Sequence, residues 1–229
     1  LGNDEYKIRL ELYRDCDDGN PQAPFDDPAY VAIFDIAGVL TANVSIDFSG
    51  ISDTITYGLP IGCWNIANTC VEKTIYEGTI ELPSAPGGYT VAYQRCCRQI
   101  EIDNLINLVE TGMTLHTHIA TEFQNAGPGF NKDIPCMAFV GVPFSFDASA
   151  TDADGDSLVY ELKTPFAGGS LASPQPIPAS PPPFEIVSYI LPQFSEGNML
   201  GGNSSFTIDP ETGEMTAIPV FEGKFQTGY

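Results

Sequence analysis

Basic residues are scarce in this chain. Its 229 residues include 9 Lys and Arg against 30 Asp and Glu, a formal net charge of −21, with 2 His and 1 Trp. Nucleic-acid binding relies on Lys and Arg to neutralise phosphates, so this balance excludes it. The same balance argues against anionic membrane surfaces. No apolar run approaches the roughly 20 residues of a membrane span, and no signal peptide is visible. Helical periodicity is also scarce: the stretch 100–109 is the best helix candidate, and it is short. The six cysteines contain no Cys-x-x-Cys pair and both histidines lie far from them, which excludes the usual zinc patterns. No Ser/His/Asp order, metal-ligand cluster or phosphate loop stands out. An enzyme, such as a glycosidase with paired carboxylates, is therefore the weakest reading, and we treat the chain as non-catalytic.

Hydrophobic residues make up 43%, enough for a real core in one large or two ordinary domains. β-branched and aromatic residues dominate short runs at 6–13, 30–35, 39–48, 51–57, 71–82, 89–98 and 113–123, then again after 136, and they alternate with polar ones at 6–13 and 44–48. This is the period of half-buried strands. The Gly- and Pro-rich run Gln124-Asn125-Ala126-Gly127-Pro128-Gly129 reads as a linker. It divides the chain into an N-terminal β-sandwich, 1–127, and a second one, 128–229, cut short at its C-terminal end. The fold class expected is all-β: two consecutive β-sandwich, Ig-like domains with disulfides. The start at Leu1 and the broken strand pattern of 223–229 suggest a mature or trimmed piece of a longer protein. Residues 164–193 hold eight prolines, which rules out a central strand or a helix. An extended crossing over the sandwich surface is expected there.

An even cysteine count in an acidic, Gly- and Pro-rich β chain points to disulfides and an oxidising, extracellular compartment. Cys63 and Cys70 bracket a short loop around Trp64, and a bridge between them would close it. Cys96 and Cys97 point to opposite faces of a strand, so each is expected to reach a different partner. Cys16 and Cys136 are the remaining candidates, in either order. His116 and His118 share a strand face. Two ligands are too few for a metal, so they read as sheet-surface histidines. The acidic loop at Asp17 and Asp18 reads as a solvated turn.

The densest chemistry lies in Asp152-Ala153-Asp154-Gly155-Asp156, followed by an alternating run at 158–162 that reads as a strand. Ca²⁺ takes roughly 6–8 hard oxygen ligands, and three aspartates in a tight glycine turn supply that donor type. Position 12 counted from Asp152 is Lys163, so this is no EF-hand. Asp152, Asp154 and Asp156 are the candidate metal ligands and Ca²⁺ the candidate cofactor; a plain acidic turn is the competing reading.

Two resemblances rest on these motifs. The aspartate loop, the preceding Phe144-Ser145-Phe146-Asp147 and the later Phe206-Thr207-Ile208-Asp209-Pro210-Glu211-Thr212-Gly213 resemble dystroglycan-type, cadherin-like modules of bacterial surface proteins. That resemblance implies a β-sandwich with calcium on the three aspartates, and Asn131 and Asp133 as linker ligands toward a neighbouring module. Arg14-Asp15-Cys16, Cys70-Val71-Glu72-Lys73 and Tyr93-Gln94-Arg95-Cys96-Cys97-Arg98 resemble the N-terminal region of large gliding-motility-associated, adhesin-like Bacteroidota proteins exported by type IX secretion. Lys163 stands where that family often has a cysteine. The resemblance implies a bacterial cell-surface location. A structural or adhesive module is thus expected, joined to neighbouring domains or subunits, by strand addition if an edge is incomplete. The alternative is a carbohydrate-binding module whose Trp64, Tyr57 or Tyr89 stack on glycans.

Overall fold

Alternation builds the first layer. Strand β1 (Glu5–Asp15) turns Leu10 and Leu12 inward and Lys7 and Arg9 outward. It pairs antiparallel with β5 (Val71–Glu81) over its whole length, Glu5 opposite Glu81 and Asp15 opposite Val71. The short β4 (Asp53–Thr54) flanks β5 on its other side. The second layer holds β2 (Ala29–Asp35), β3 (Leu40–Ile46), β6 (Tyr89–Arg95) and β7 (Met113–Ile119), in the order β3-β2-β6-β7. This computed structural model describes residues 4–16, 24–55, 70–123, 125–133 and 137–228.

Leu10, Leu12, Val31, Ile33, Tyr76, Ile80, Val91 and Tyr93 fill the space between the layers. Each such aliphatic side chain contributes about 1.5–3 kcal/mol on burial. One carboxylate sits inside this apolar region. Asp26, 8% exposed, accepts from Tyr93 Oη at 2.7 Å and from Arg95 Nε at 2.9 Å, and its carbonyl accepts from Tyr76 Oη at 2.7 Å. Burial pushes the Asp26 carboxyl up, against the pull of Tyr93 and Arg95. No residue pattern marks Asp26 in the sequence; register alone brings Tyr76, Tyr93 and Arg95 to it.

β2 and β6 are buried on both faces. Their outer face presents Ala32, Phe34 and Ala92, covered by Ala179 and Phe184 of the proline-rich segment. The expected crossing is present: Cys96 N–H donates to the Pro174 carbonyl, Gln175 Nε2 to the Pro28 carbonyl, and Ser180 N–H to Gln94 Oε1. Gln94, 4% exposed, also donates to Thr114 Oγ1, tying β6, β7 and the crossing together.

The rest of the chain forms a three-stranded sheet, β11 (Ser205–Ile208), β12 (Glu214–Ile218) and β9 (Phe144–Asp147), with β12 central. A two-stranded ribbon joins β8 (Gly129–Phe130) to β10 (Ala150–Thr151). The described residues are therefore all-β, apart from one 3₁₀ turn at Leu108–Glu110.

Contacts cross the position marked by the linker composition. Ile106 N–H donates to the Ser188 carbonyl, Ile190 N–H to the Asn104 carbonyl, and Asp103 N–H to the Lys224 carbonyl. The stretch 100–109, the best helix candidate though without convincing period, forms no α-helix: it makes turns and two isolated bridges, Ile102 to Lys224 and Leu105 to Tyr189, and its end enters the 3₁₀ turn at Leu108–Glu110. At its centre Asn104, fully buried, donates to the carbonyls of Met199 and Gln226 and accepts from Gln226 N–H.

Other expectations need correction. The run 158–162 keeps its alternating burial but forms no ladder; Tyr160 N–H donates to the Pro210 carbonyl in the turn between β11 and β12, and just beyond the run Lys163 N–H donates to the Gly228 carbonyl. The 51–57 run contributes β4 alone, and its last two residues lie outside the described ones. The disulfides differ too. Cys70 bonds to Cys16, not Cys63, because the β1–β5 register carries these residues side by side, Cα atoms 5.0 Å apart. Cys96 and Cys97 bond to each other. Strand β6 ends at Arg95 and the peptide between the two cysteines is cis, so the alternation of an extended strand does not reach them. Cys63 and Cys136 lie outside the described residues.

Candidate functional site

The aspartate loop leaves β10 and is held by its own carboxylates. Asp152 Oδ1 accepts the N–H groups of Asp154 at 2.9 Å and Asp156 at 3.1 Å. Gly155, at φ +82, supplies the left-handed step that a side chain would resist. Asp154 Oδ2 accepts Ala126 N–H at 2.5 Å, linking the loop to the segment before β8. Tyr160 closes its base: its hydroxyl accepts Ala150 N–H at 2.9 Å.

The two motifs that are distant in sequence meet here. Asp209 Oδ1 accepts the N–H groups of Glu211 and Thr212, shaping the turn between β11 and β12. These bonds hold the Asp209 carboxyl below its ordinary range. Ala148 N–H donates to the Gly213 carbonyl, so this turn abuts the start of the aspartate loop. A Cβ on Gly213 would lie 3.0 Å from the Tyr160 ring, which fixes glycine at the contact.

As a donor set, three aspartates in one turn suit a hard cation. In this conformation Asp152 and Asp154 direct oxygens at backbone N–H groups. Among the described residues no three His, Cys, Asp or Glu side chains form a metal-holding group. The linker residues go separate ways. Asn131 stays beside the loop, donating to Ser149 Oγ and accepting from Thr151 Oγ1. Asp133 is drawn off to the outer face of the β1–β5 sheet.

There it completes a charged cluster. Lys73 Nζ lies 2.6 Å from Asp133 Oδ1 and 2.8 Å from Glu11 Oε2, and Tyr13 Oη donates to Asp133 Oδ1. Burial opposes the Lys73 charge, but hydrogen bonds to Asp133, Glu11 and Tyr13 outweigh it and raise the pKa. Burial, with Asp133, pushes the Tyr13 hydroxyl up to about 12. A cleft of about 510 Å³ adjoins the cluster, lined by Ser49, Asp53, Thr74 and Lys73 among others. Strand alternation puts Glu11 and Tyr13 on one face of β1; the arrival of Lys73 depends on the β1–β5 register, which sets it opposite Tyr13, and that of Asp133 on the fold.

Other candidates are located as follows. His116 lies against Phe166 and Phe184, ring centroids 5.0 Å from each, and burial lowers its pKa; the pair sits on the outer sheet face as expected. Tyr89 is 5% exposed, with its hydroxyl donating to the Pro83 carbonyl, so it is a core residue and no sugar platform. Trp64, Tyr57, Asp17 and Asp18 lie outside the described residues. Arg98 donates to the Phe166 carbonyl, and burial lowers its pKa to about 10.

A pH dependence follows. The Lys132 ammonium, 2.8 Å away, and Ser149 hold Asp147 down to about 2 from 3.8. Asp133 and Glu196 are lowered by Lys73 and Thr164 respectively, and Glu11 is lowered because Lys73 and Arg9 outweigh its burial. A depressed carboxylate stabilises fully above its unfolded pKa, and that contribution is lost as pH falls through the folded value. Asp26 acts oppositely, since its raised pKa favours the protonated native form. The melting temperature should therefore fall between about pH 4.5 and pH 2. In Lys132→Ala the part of that fall nearest pH 2 should shrink; an unchanged profile would remove Asp147 from the account.

The chain matches no family model, no curated protein and no solved structure.

Proposed function

We propose that this chain is a non-catalytic structural or adhesive module of a bacterial cell-surface protein, working outside the cell as one stiff unit. The observation that carries the reading is the interlock: the 99–110 segment and the proline-rich crossing join both halves through buried backbone and side-chain bonds. A stalk or filament needs this property, because a hinge between sandwiches would let it fold back. The Cys16–Cys70 bridge ties the ends of β1 and β5 and supports an oxidising compartment. The −21 charge supports an aqueous exterior setting and bound cations.

Calcium belongs to this reading. Asp152, Asp154 and Asp156 would hold it, with carbonyl oxygens of the loop completing the shell. Its chemistry there would be to draw the three carboxylates together, neutralise them and fix the loop. Asn131 and Ala126, already tied to the loop, would carry that order into the linker. Thermal unfolding tests this directly. A ligand of the native state raises stability by RT ln(1 + [L]/Kd), about 2.7 kcal/mol at a hundredfold excess over Kd. The midpoint should rise in millimolar calcium, drop with chelator, and stop responding in Asp154→Ala. Equal midpoints with calcium and chelator would make the loop a plain acidic turn.

A further inference from the structure

The edges of the two layers differ in a way that bears on assembly. β1 carries Lys7 and Arg9 outward, 52% and 51% exposed, with Glu11 beside them. Such charges are how natural edge strands deter pairing. β3 leans against β5. β7, Met-Thr-Leu-His-Thr-His-Ile, holds no Lys, Arg, Asp, Glu or Pro. It is the last strand of its sheet, and residues 115–118 are exposed whichever face they point to. Leu115 is 40% exposed. Among the described residues, one backbone hydrogen bond reaches β7 from outside its sheet, Thr114 N–H to the Phe166 carbonyl at 3.3 Å. Among the described residues the ladder from 115 to 119 stays open.

We propose that this edge seats a second copy of the chain, the two β7 strands pairing antiparallel about a twofold axis at Thr117. The two four-stranded sheets then run on as one. Charge selects the place, and the self-complementary register selects the partner. Copies carrying −21 repel each other, but in salt the repulsion is screened beyond roughly 8–10 Å. Contact is therefore tolerated where the seam itself brings no carboxylates together, and β7 contributes none. The register is self-complementary. Leu115 faces the partner's Ile119, His116 faces the partner's His118, and Thr117 faces the partner's Thr117. Apolar against apolar and hydroxyl against hydroxyl are favourable cross-strand pairs. A twofold interface of this kind is closed, so it yields a dimer and no fibre.

The proposal rests on the reading of the chain as a surface module joined through sheet edges. Sedimentation of the whole chain, in low and moderate salt and up to about 500 µM, near the weak end of specific association, is the test. Dimer is expected, strengthened by salt, with slowed hydrogen exchange at residues 115–119 as concentration rises. Thr117→Lys, which puts two ammonium groups on the axis, should weaken the dimer at least tenfold and leave the melting temperature unchanged at concentrations where the chain is monomeric. A monomer throughout, or a dimer indifferent to Thr117→Lys, overturns the proposal. Neither result touches the stiff-module reading, whose own readouts are the calcium response and shared unfolding of the two halves.

Discussion

Gly112→Ala is expected to destabilise the fold by about 3 kcal/mol or more, the upper part of the range for overpacking. Gly112 lies just before β7, where the 167–169 segment comes down on the end of β6. A Cβ there would stand 1.7 Å from the Gly168 carbonyl oxygen and 2.3 Å from that of Arg95. Both obstacles are backbone, so no side chain can swing aside. Relief requires lifting the crossing segment, and that motion breaks the bond from Thr114 Oγ1 to the Ala167 carbonyl and disturbs the Gln94 tie. The Ala32, Phe34 and Ala92 surface beneath the crossing would then be exposed in part. Urea unfolding of the variant measures the effect. A loss below about 1 kcal/mol would mean that the crossing is not seated as described.

Asn104→Ala should cost a similar amount by a different route. The side chain serves three backbone groups, the carbonyls of Met199 and Gln226 and the N–H of Gln226. Alanine leaves all three short of a partner in a site with no solvent exposure, at about 1–3 kcal/mol for each group left unsatisfied. Relaxation and water entry recover part of this, so about 3 kcal/mol is the expected net loss. Asn104→Asp separates geometry from chemistry. It preserves the shape and the acceptor for Gln226 N–H, but it removes both donors and buries a carboxyl. That carboxyl is expected to titrate well above its ordinary range, so the variant should lose further stability as pH rises through neutrality. An Asp variant as stable as wild type would contradict the assigned hydrogen bonds.

The layers were legible because their signal is local. β1 and β12 follow from alternation, β2, β5, β6, β7 and β11 from their β-branched and aromatic content, and the turn at Asp209-Pro210-Glu211-Thr212-Gly213 from its composition. The crossing of the proline-rich segment was legible for the same kind of reason, since prolines forbid the alternatives. What stayed hidden depends on register between distant strands. The pairing of Cys16 with Cys70 follows from Asp15 standing opposite Val71, which no spacing rule gives. At 100–109 the apolar residues mark no single face, since Leu105 is buried while Ile100, Ile106 and Val109 are exposed. Asn104 and Asp26 each sit in the interior for the sake of partners far away in sequence. The candidate cation loop is the reverse case: its residues were plain in the sequence, while its neighbours Ala126 and Asn131, and the diversion of Asp133 to Lys73, come from the fold.

The central claim is that both halves open as one body. Native-state hydrogen exchange tests it most directly, because it reports the opening free energy of each amide separately. Val91 in β6 and Met215 in β12 are the amides to compare, both in buried strand centres of opposite halves. The account predicts one shared opening free energy for the two, falling by the same amount in Asn104→Ala. A Met215 amide that exchanges through its own lower-energy opening, indifferent to Asn104→Ala, would show two independent sandwiches on a linker and contradict it.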